Sequence, residues 1–250
     1  MMVCSMKLKK IVLPALLGLL PLTTPALQAA ELQRADVEQT VREYMLSNPE
    51  LLIEMSNALR AQQEAEQGKA DKALIQQYQQ VLFKQASDPV GGNLKGTQTI
   101  VEFVDYNCGY CKRATPALRE LLASDKSVRI VYKEFPILSE TSYIAAKAAL
   151  AVHSLHPEQY EAFHDALMAT QGHLQDENAI AAVAKQLKMN WPAIQKKMQD
   201  PAIDKQLQAN RQLAQQLGLT GTPAFVIGET ILRGAPRTAD DLRSLLKSKP

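Results

Sequence analysis

The chain has 250 residues, 46% of them hydrophobic and 22% charged, with a formal net charge of +2. That length accommodates one full domain and a smaller appendage, and the balance excludes disordered and fibrous classes. No clustered Lys/Arg run supplies the electrostatic footprint of a nucleic-acid binder.

The first segment differs in composition from the rest. Lys7, Lys9 and Lys10 precede an apolar run from Ile11 to Leu22, and Ala26, Ala29 and Ala30 follow with small side chains. The pattern predicts a secretory signal peptide over residues 1–29, cleaved after Ala29 or Ala30. A membrane anchor is the alternative, but the run falls short of the ~20 residues that span a bilayer and is interrupted by Pro14, Gly18 and Pro21. Removal of three lysines and no acid turns the charge of +2 into about −1. Cys4 leaves with this segment, so of three cysteines only Cys108 and Cys111 are expected to persist.

Residues 30–62 read as a helical segment. Val37, Val41 and Tyr44 recur at helical spacing, Asn48 is expected to cap a second helix with Pro49 at its first position, and Leu51, Leu52, Met55 and Leu59 share one face of that helix. Short amphipathic helices need a partner surface, so this segment is expected either to self-associate or to pack back on the main domain, with self-association favoured. Residues 63–90 form the expected linker helix. Its polar stretch over 60–72 reads as a solvated helix or a flexible connection with Gly68 as its weak point, and Asp88-Pro89-Val90-Gly91-Gly92 as a closing loop.

The main domain is expected over residues 91–250. Thr99 to Val104 has the β-branched, apolar character of a buried strand, a helix follows Cys108 through Leu118, Leu121 and Leu122, and Val128 to Tyr132 is a second strand. Strand, helix and strand in so short a span make a βαβ unit with a parallel pair and a right-handed crossover. Residues about 139–217 read as a block of inserted helices broken at Pro157, Gly172 and Pro192. A hairpin then turns at Gly228-Glu229, and Thr238 to Asp241 carries the capping pattern of a closing helix. The fold class is α/β.

Cys108-Gly109-Tyr110-Cys111 lies where that first helix begins. The free N–H groups and dipole of a helix N-terminus stabilise a thiolate, and a second thiol one turn further in can resolve a mixed disulfide. Cys108 is therefore the expected nucleophile and Cys111 the resolving thiol. A zinc site is disfavoured: no second cysteine pair exists, and His153, His156, His164 and His173 all fall in the helical block. No metal or cofactor is expected. Glu102, an ionisable residue within an apolar strand, reads either as proton management for a buried Cys111 or as an edge residue facing water.

Phe103 to Cys111, the helical insertion and Gly221-Thr222-Pro223 together resemble the DsbA-like thioredoxin superfamily of periplasmic disulfide oxidoreductases and isomerases, and within it the trimeric ScsC-type proteins. The resemblance implies a thioredoxin-like fold with an inserted helical domain behind an N-terminal helical oligomerisation stalk. It implies that Cys108 and Cys111 are the redox pair, that Thr222 and a cis Pro223 face that pair and hold extended substrate, and that Glu102 is the family's buried acid. Gly109-Tyr110 matches the isomerase DsbC and departs from the Pro-His of the oxidase DsbA. The implied activity is a periplasmic disulfide isomerase, homotrimeric in its relatives' manner, acting on exported proteins with cysteines and kept reduced by a DsbD-like membrane reductase. The alternatives are a DsbA-type oxidase served by a DsbB-like partner, or a thiol-based binding protein: a chaperone, which would survive Cys108→Ser, or a copper-binding module that uses the two thiolates as soft ligands.

Overall fold

The computed structural model describes residues 33–247. The expected signal segment, with Cys4, lies outside them. The chain divides into two compact units between Ser56 and Asn57.

In the first unit, helix α1 (Arg34–Ser47) buries none of its residues, and Tyr44 and Leu46 stand exposed. Asn48 does not cap the helix after it. Its side-chain amide donates to the Tyr44 carbonyl at 2.8 Å and closes α1, while its own carbonyl accepts from Leu51 N–H. Helix α2 (Glu50–Gln77) then runs without a break through the polar stretch 60–72. The cost of Gly68, about 1 kcal/mol relative to alanine, is too small to interrupt so long a helix.

The second unit is built on a five-stranded sheet in the order β1-β3-β2-β4-β5, with β1 (Val90–Gly92), β2 (Gln98–Val104), β3 (Val128–Glu134), β4 (Ala224–Ile227) and β5 (Thr230–Arg233). Strands β2 and β3 are parallel and every other pairing is antiparallel. Strand β1 corrects the expected loop at Asp88 to Gly92. It pairs with Val131 to Arg129, and a Cβ on Gly91 would come within 2.9 Å of the Tyr132 ring and 2.7 Å of Glu161. The glycines that suggest a loop are there because neighbouring side chains press against the strand.

Both sheet faces are covered, which is why β2 reads as a continuous apolar run. Ile100, Val104, Ile130, Tyr132 and Phe225 face α4 (Gly109–Ser124) and the inserted helices. Val101, Phe103, Val131 and Val226 face Ile75 of α2, Leu82 of α3 (Gln79–Phe83) and Leu213 and Leu217. The insertion is five helices: α5 (Glu140–Leu155), α6 (Tyr160–Met168), α7 (Glu177–Gln186), α8 (Trp191–Lys197) and α9 (Pro201–Gln216). Ser139, Asp176, Asn190 and Asp200 each accept a backbone N–H at the start of a helix, satisfying donors that would otherwise be orphaned. Gly228 at φ +58° makes the β4–β5 turn, and Thr238 and Asp241 cap α10 (Ala239–Lys247) reciprocally.

Candidate active site

The loop between β2 and α4 is held from both sides. The Asp105 carboxylate accepts from the N–H groups of Asn107, Ile137 and Leu138 at 2.8–3.1 Å, and the Asp105 carbonyl accepts from Cys108 N–H. Asn107 donates to Ser139 and Thr141 and accepts from Leu174 N–H at 2.7 Å, which fastens the loop to the insertion. One position after Cys111, the Lys112 ammonium donates to the carbonyls of Thr170 and Gly172. Asp105, Asn107 and Lys112 were not singled out from sequence, because an Asp or Asn ahead of a helix reads as ordinary turn chemistry.

Cys108 occupies the N-cap of α4, so its sulfur sits where unpaired helix N–H groups converge. Both cysteines are free thiols, with Cys108 5% exposed and Cys111 fully buried. The Cys108 pKa is lowered to about 5. The Cys111 thiol hydrogen bond is the largest cause; Thr222 and the N–H groups of Cys111 and Tyr110 add to it against the opposing effect of burial. Cys111 is pushed far up, first by burial, then by its hydrogen bond to Cys108 and by the charge of Glu102. One thiol is thus poised as an anion and the other held as a proton carrier.

The Thr222–Pro223 peptide is cis, and the Thr222 carbonyl oxygen lies 3.1 Å from Cys108 Sγ. Pro223 is fixed from behind, its carbonyl accepting from Gly234 N–H at 3.0 Å. Tyr110 is 61% exposed, with the Arg113 guanidinium 4.0 Å over its ring, and Gly109 has open space around it. Glu102 is buried, which removes the edge-residue alternative. Its Oε2 has no hydrogen-bond partner, and its pKa rises to about 8 through burial, with Arg119 opposing and Asp165 reinforcing the shift. The seven residues singled out from sequence therefore lie on three elements, β2, the start of α4 and the loop before β4.

The histidines do not join them as a cluster. His164 stacks among Tyr106, Tyr132 and Tyr160, His153 lies edge-on to Tyr160, and His156 and His173 are exposed. Among the described residues no group of three or more His, Cys, Asp or Glu is placed to hold a metal ion.

A thiolate at a helix head, a resolving thiol beneath it and a proline loop against the sulfur make a dithiol exchange centre. Residues 99–247 match the DSBA-like thioredoxin domain, more than half of the chain, and residues 33–66 match the N-terminal domain of copper resistance protein ScsC. The chain belongs to the DSBA-like thioredoxin family. It is built as a thioredoxin-like thiol–disulfide oxidoreductase of the DsbA and ScsC type. A thioredoxin-like oxidoreductase from Silicibacter pomeroyi is 38% identical, with a TM-score of 0.63 over 67% of this chain and 94% of that one. The catalytic domain of Proteus mirabilis ScsC is 33% identical, with a TM-score of 0.65 over 70% and 96% of the two chains. A periplasmic thioredoxin-like protein from Salmonella enterica serovar Typhimurium is 30% identical, with a TM-score of 0.61 over 68% and 93%. Among curated proteins, Na(+)/H(+) antiporter NhaA 3 of Salinispora tropica aligns at 28% identity over 140 residues, 56% of this chain but 21% of the antiporter. The chain thus spans about a fifth of that relative's length, and no helix among the described residues is long and apolar enough to cross a membrane.

Proposed function

We propose that this DSBA-like protein is a disulfide isomerase of exported proteins, sent to the periplasm by residues 1–29, assembled as a homotrimer through residues 30–62 and kept reduced by a DsbD-like membrane reductase. The Cys108 thiolate attacks a disulfide of a misfolded substrate. Its S–S bond breaks, one substrate sulfur leaves as a thiolate, and a mixed disulfide forms on Cys108. That thiolate attacks another substrate disulfide, and the new thiolate finally displaces Cys108, so no net electrons are transferred. When a substrate stalls, Cys111 gives its proton to Glu102 and attacks the Cys108 sulfur. The substrate thiolate is released, the Cys108–Cys111 disulfide remains, and the substrate carries away two electrons that the membrane reductase must restore.

The observation that carries isomerisation is the apolar surface left uncovered on the N-terminal helices. Tyr44, Leu46, Leu52 and Ile53 are each at least 60% exposed, and α1 has no buried residue. Self-association would cover that surface and place several dithiols around one substrate. Gly109-Tyr110 between the cysteines supports the same reading. The test pairs molar mass with refolding of a scrambled disulfide protein, comparing the full chain with one lacking residues up to 62. The shortened chain is expected to be a monomer that still reduces insulin but refolds scrambled protein at most about a tenth as fast; equal isomerase rates would overturn the reading.

A second reading, the DsbA-type oxidase with a DsbB-like partner, is favoured by one observation, the lowered pKa of Cys108. A stabilised thiolate favours the reduced form and makes the disulfide a stronger oxidant. Cys108 found oxidised in cells would select it.

A further inference from the structure

Two buried acids share one side of the sheet. In the β2–β3 register Glu102 lies opposite Tyr132 and Val104 opposite Glu134, so Glu102, Tyr132 and Glu134 project to the same face. That face carries Cys108, Cys111 and α4. Glu134 is fully buried at the end of β3. Its Oε1 accepts from the Tyr106 hydroxyl at 2.8 Å and the Tyr160 hydroxyl at 2.7 Å, while Oε2 has no hydrogen-bond partner. Tyr106 precedes Cys108 by two residues, and its hydroxyl also lies 3.1 Å from His164 Nδ1.

Two tyrosine hydroxyls need only an acceptor, and a glutamine would supply one without the cost of burying an ionisable group. The neighbouring charges that act on Glu134, Asp105 from the loop and Glu102 from β2, are both negative. Arg119 on α4 is engaged by Glu161 and Asp165 of α6 and by the Tyr132 hydroxyl. From α6, His164 is held neutral by burial, its pKa lowered to about 3, and His153 on α5 reaches only the Tyr160 ring.

We propose that Glu134 is a positioning residue of the dithiol centre, whose charge sets how readily Glu102 accepts the proton of the Cys111 thiol. The proposal rests on the reading of Glu102 given above. Two carboxylates near one another in a buried site do not ionise independently; they titrate as a pair. While Glu134 keeps its proton, Glu102 ionises and stands ready as the base. When Glu134 ionises, its repulsion holds the proton on Glu102, which then cannot take one from Cys111. Burial raises both acids to about 8, which places this competition close to neutral pH.

The test is the pH profile of the resolving step, followed with the full chain in a single turnover that releases a fluorescent peptide from its mixed disulfide with Cys108. In the unaltered protein the rate should rise as Glu102 ionises. In Glu134→Gln, which keeps the acceptor for both hydroxyls, the midpoint of that rise should fall by about one pH unit. Tyr160→Phe keeps Glu134 but removes a donor that favours its ionised form, so it should move the midpoint the same way by less. An unmoved midpoint in Glu134→Gln, with the rise abolished in Glu102→Gln, would overturn this proposal alone. A rise that persists in Glu102→Gln would overturn the reading of Glu102 and the proposal together.

Discussion

Lys133 and Glu134 are consecutive residues of β3, both buried, and they point to opposite faces of the sheet. On one face the Lys133 ammonium is paired with the Asp88 carboxylate and donates to the Val81 carbonyl, while Gln206 donates to Asp88. On the other face Glu134 meets only hydroxyls, and Glu102 retains an oxygen with no partner. Burial acts on both sets, pushing Lys133 down and Asp88 up, but there each partner offsets the other's shift. The paired charges tie α3 and the start of β1 to the sheet; the unpaired ones lie on the face of the dithiol. A buried charge with its counter-ion is a structural brace, and a buried charge without one is available for chemistry.

The strongest way to break that contrast is to orphan the brace. Lys133→Met leaves the Asp88 carboxylate buried without a cation, a change that costs about 3–5 kcal/mol. Equilibrium denaturation at neutral pH should show a loss of that size, while the pH midpoint of the resolving step stays where it is in the unaltered chain. A moved midpoint would mean that the two faces are electrostatically coupled and that the Lys133–Asp88 pair is not a structural brace alone.

A smaller effect separates the dithiol from the acids beneath it. The Cys108 pKa is lowered from 9.0 to about 5, so its thiolate contributes stability that is present above the unfolded value and is lost as pH falls through 5. Glu102 and Glu134, raised from 4.5 to about 8, act in the opposite sense: their contribution is present below 4.5 and is lost as pH rises through 8. Both acids are present in either redox form and largely cancel when the forms are compared. The Tm of the reduced protein minus that of the oxidised protein should therefore climb between pH 5 and pH 9, by a few degrees. A flat difference would show that the helix head does not stabilise the Cys108 anion.

How far these features were legible in sequence depended on whether local pattern or tertiary contact decided them. The parallel β2–β3 unit, the hairpin at Gly228-Glu229 and the helical insertion follow from periodicity and turn residues, and the structure has them. Strand β1 did not follow, because Val90-Gly91-Gly92 has no alternation and is held as a strand by Val131 and Glu161 from elsewhere in the chain. Asn48 shows the limit of capping rules: its amide had a helix end on either side and closed the earlier one. Glu102 stood out as a single acid within an apolar run. Lys133 and Glu134 lie beyond Tyr132, where the expected second strand stopped, although β3 runs on through both. The available signal was alternation: each continues a face of β3 already occupied by apolar residues, Ile130 and Tyr132 on one side and Val131 on the other.

The smallest expected effect lies outside both faces. Tyr110 projects into solvent from the first turn of α4 with Arg113 over its ring, a contact worth about 0.5–1 kcal/mol at an exposed site. Tyr110→Ala should therefore cost stability no more than that. It should also leave the Cys108 pKa in place, because the Tyr110 group acting on the sulfur is its backbone N–H. The exposed ring stands beside the nucleophile, where an extended substrate would lie along it, so KM for a peptide disulfide should rise about threefold with kcat unchanged. A fall in kcat at constant KM would place the ring in the chemical step, and the alkylation profile of Cys108 would then shift with it. Arg113→Ala separates the two roles of the ring: it removes the same stacking energy but leaves the aromatic surface in place, so its stability should match Tyr110→Ala while its KM stays closer to that of the unaltered protein.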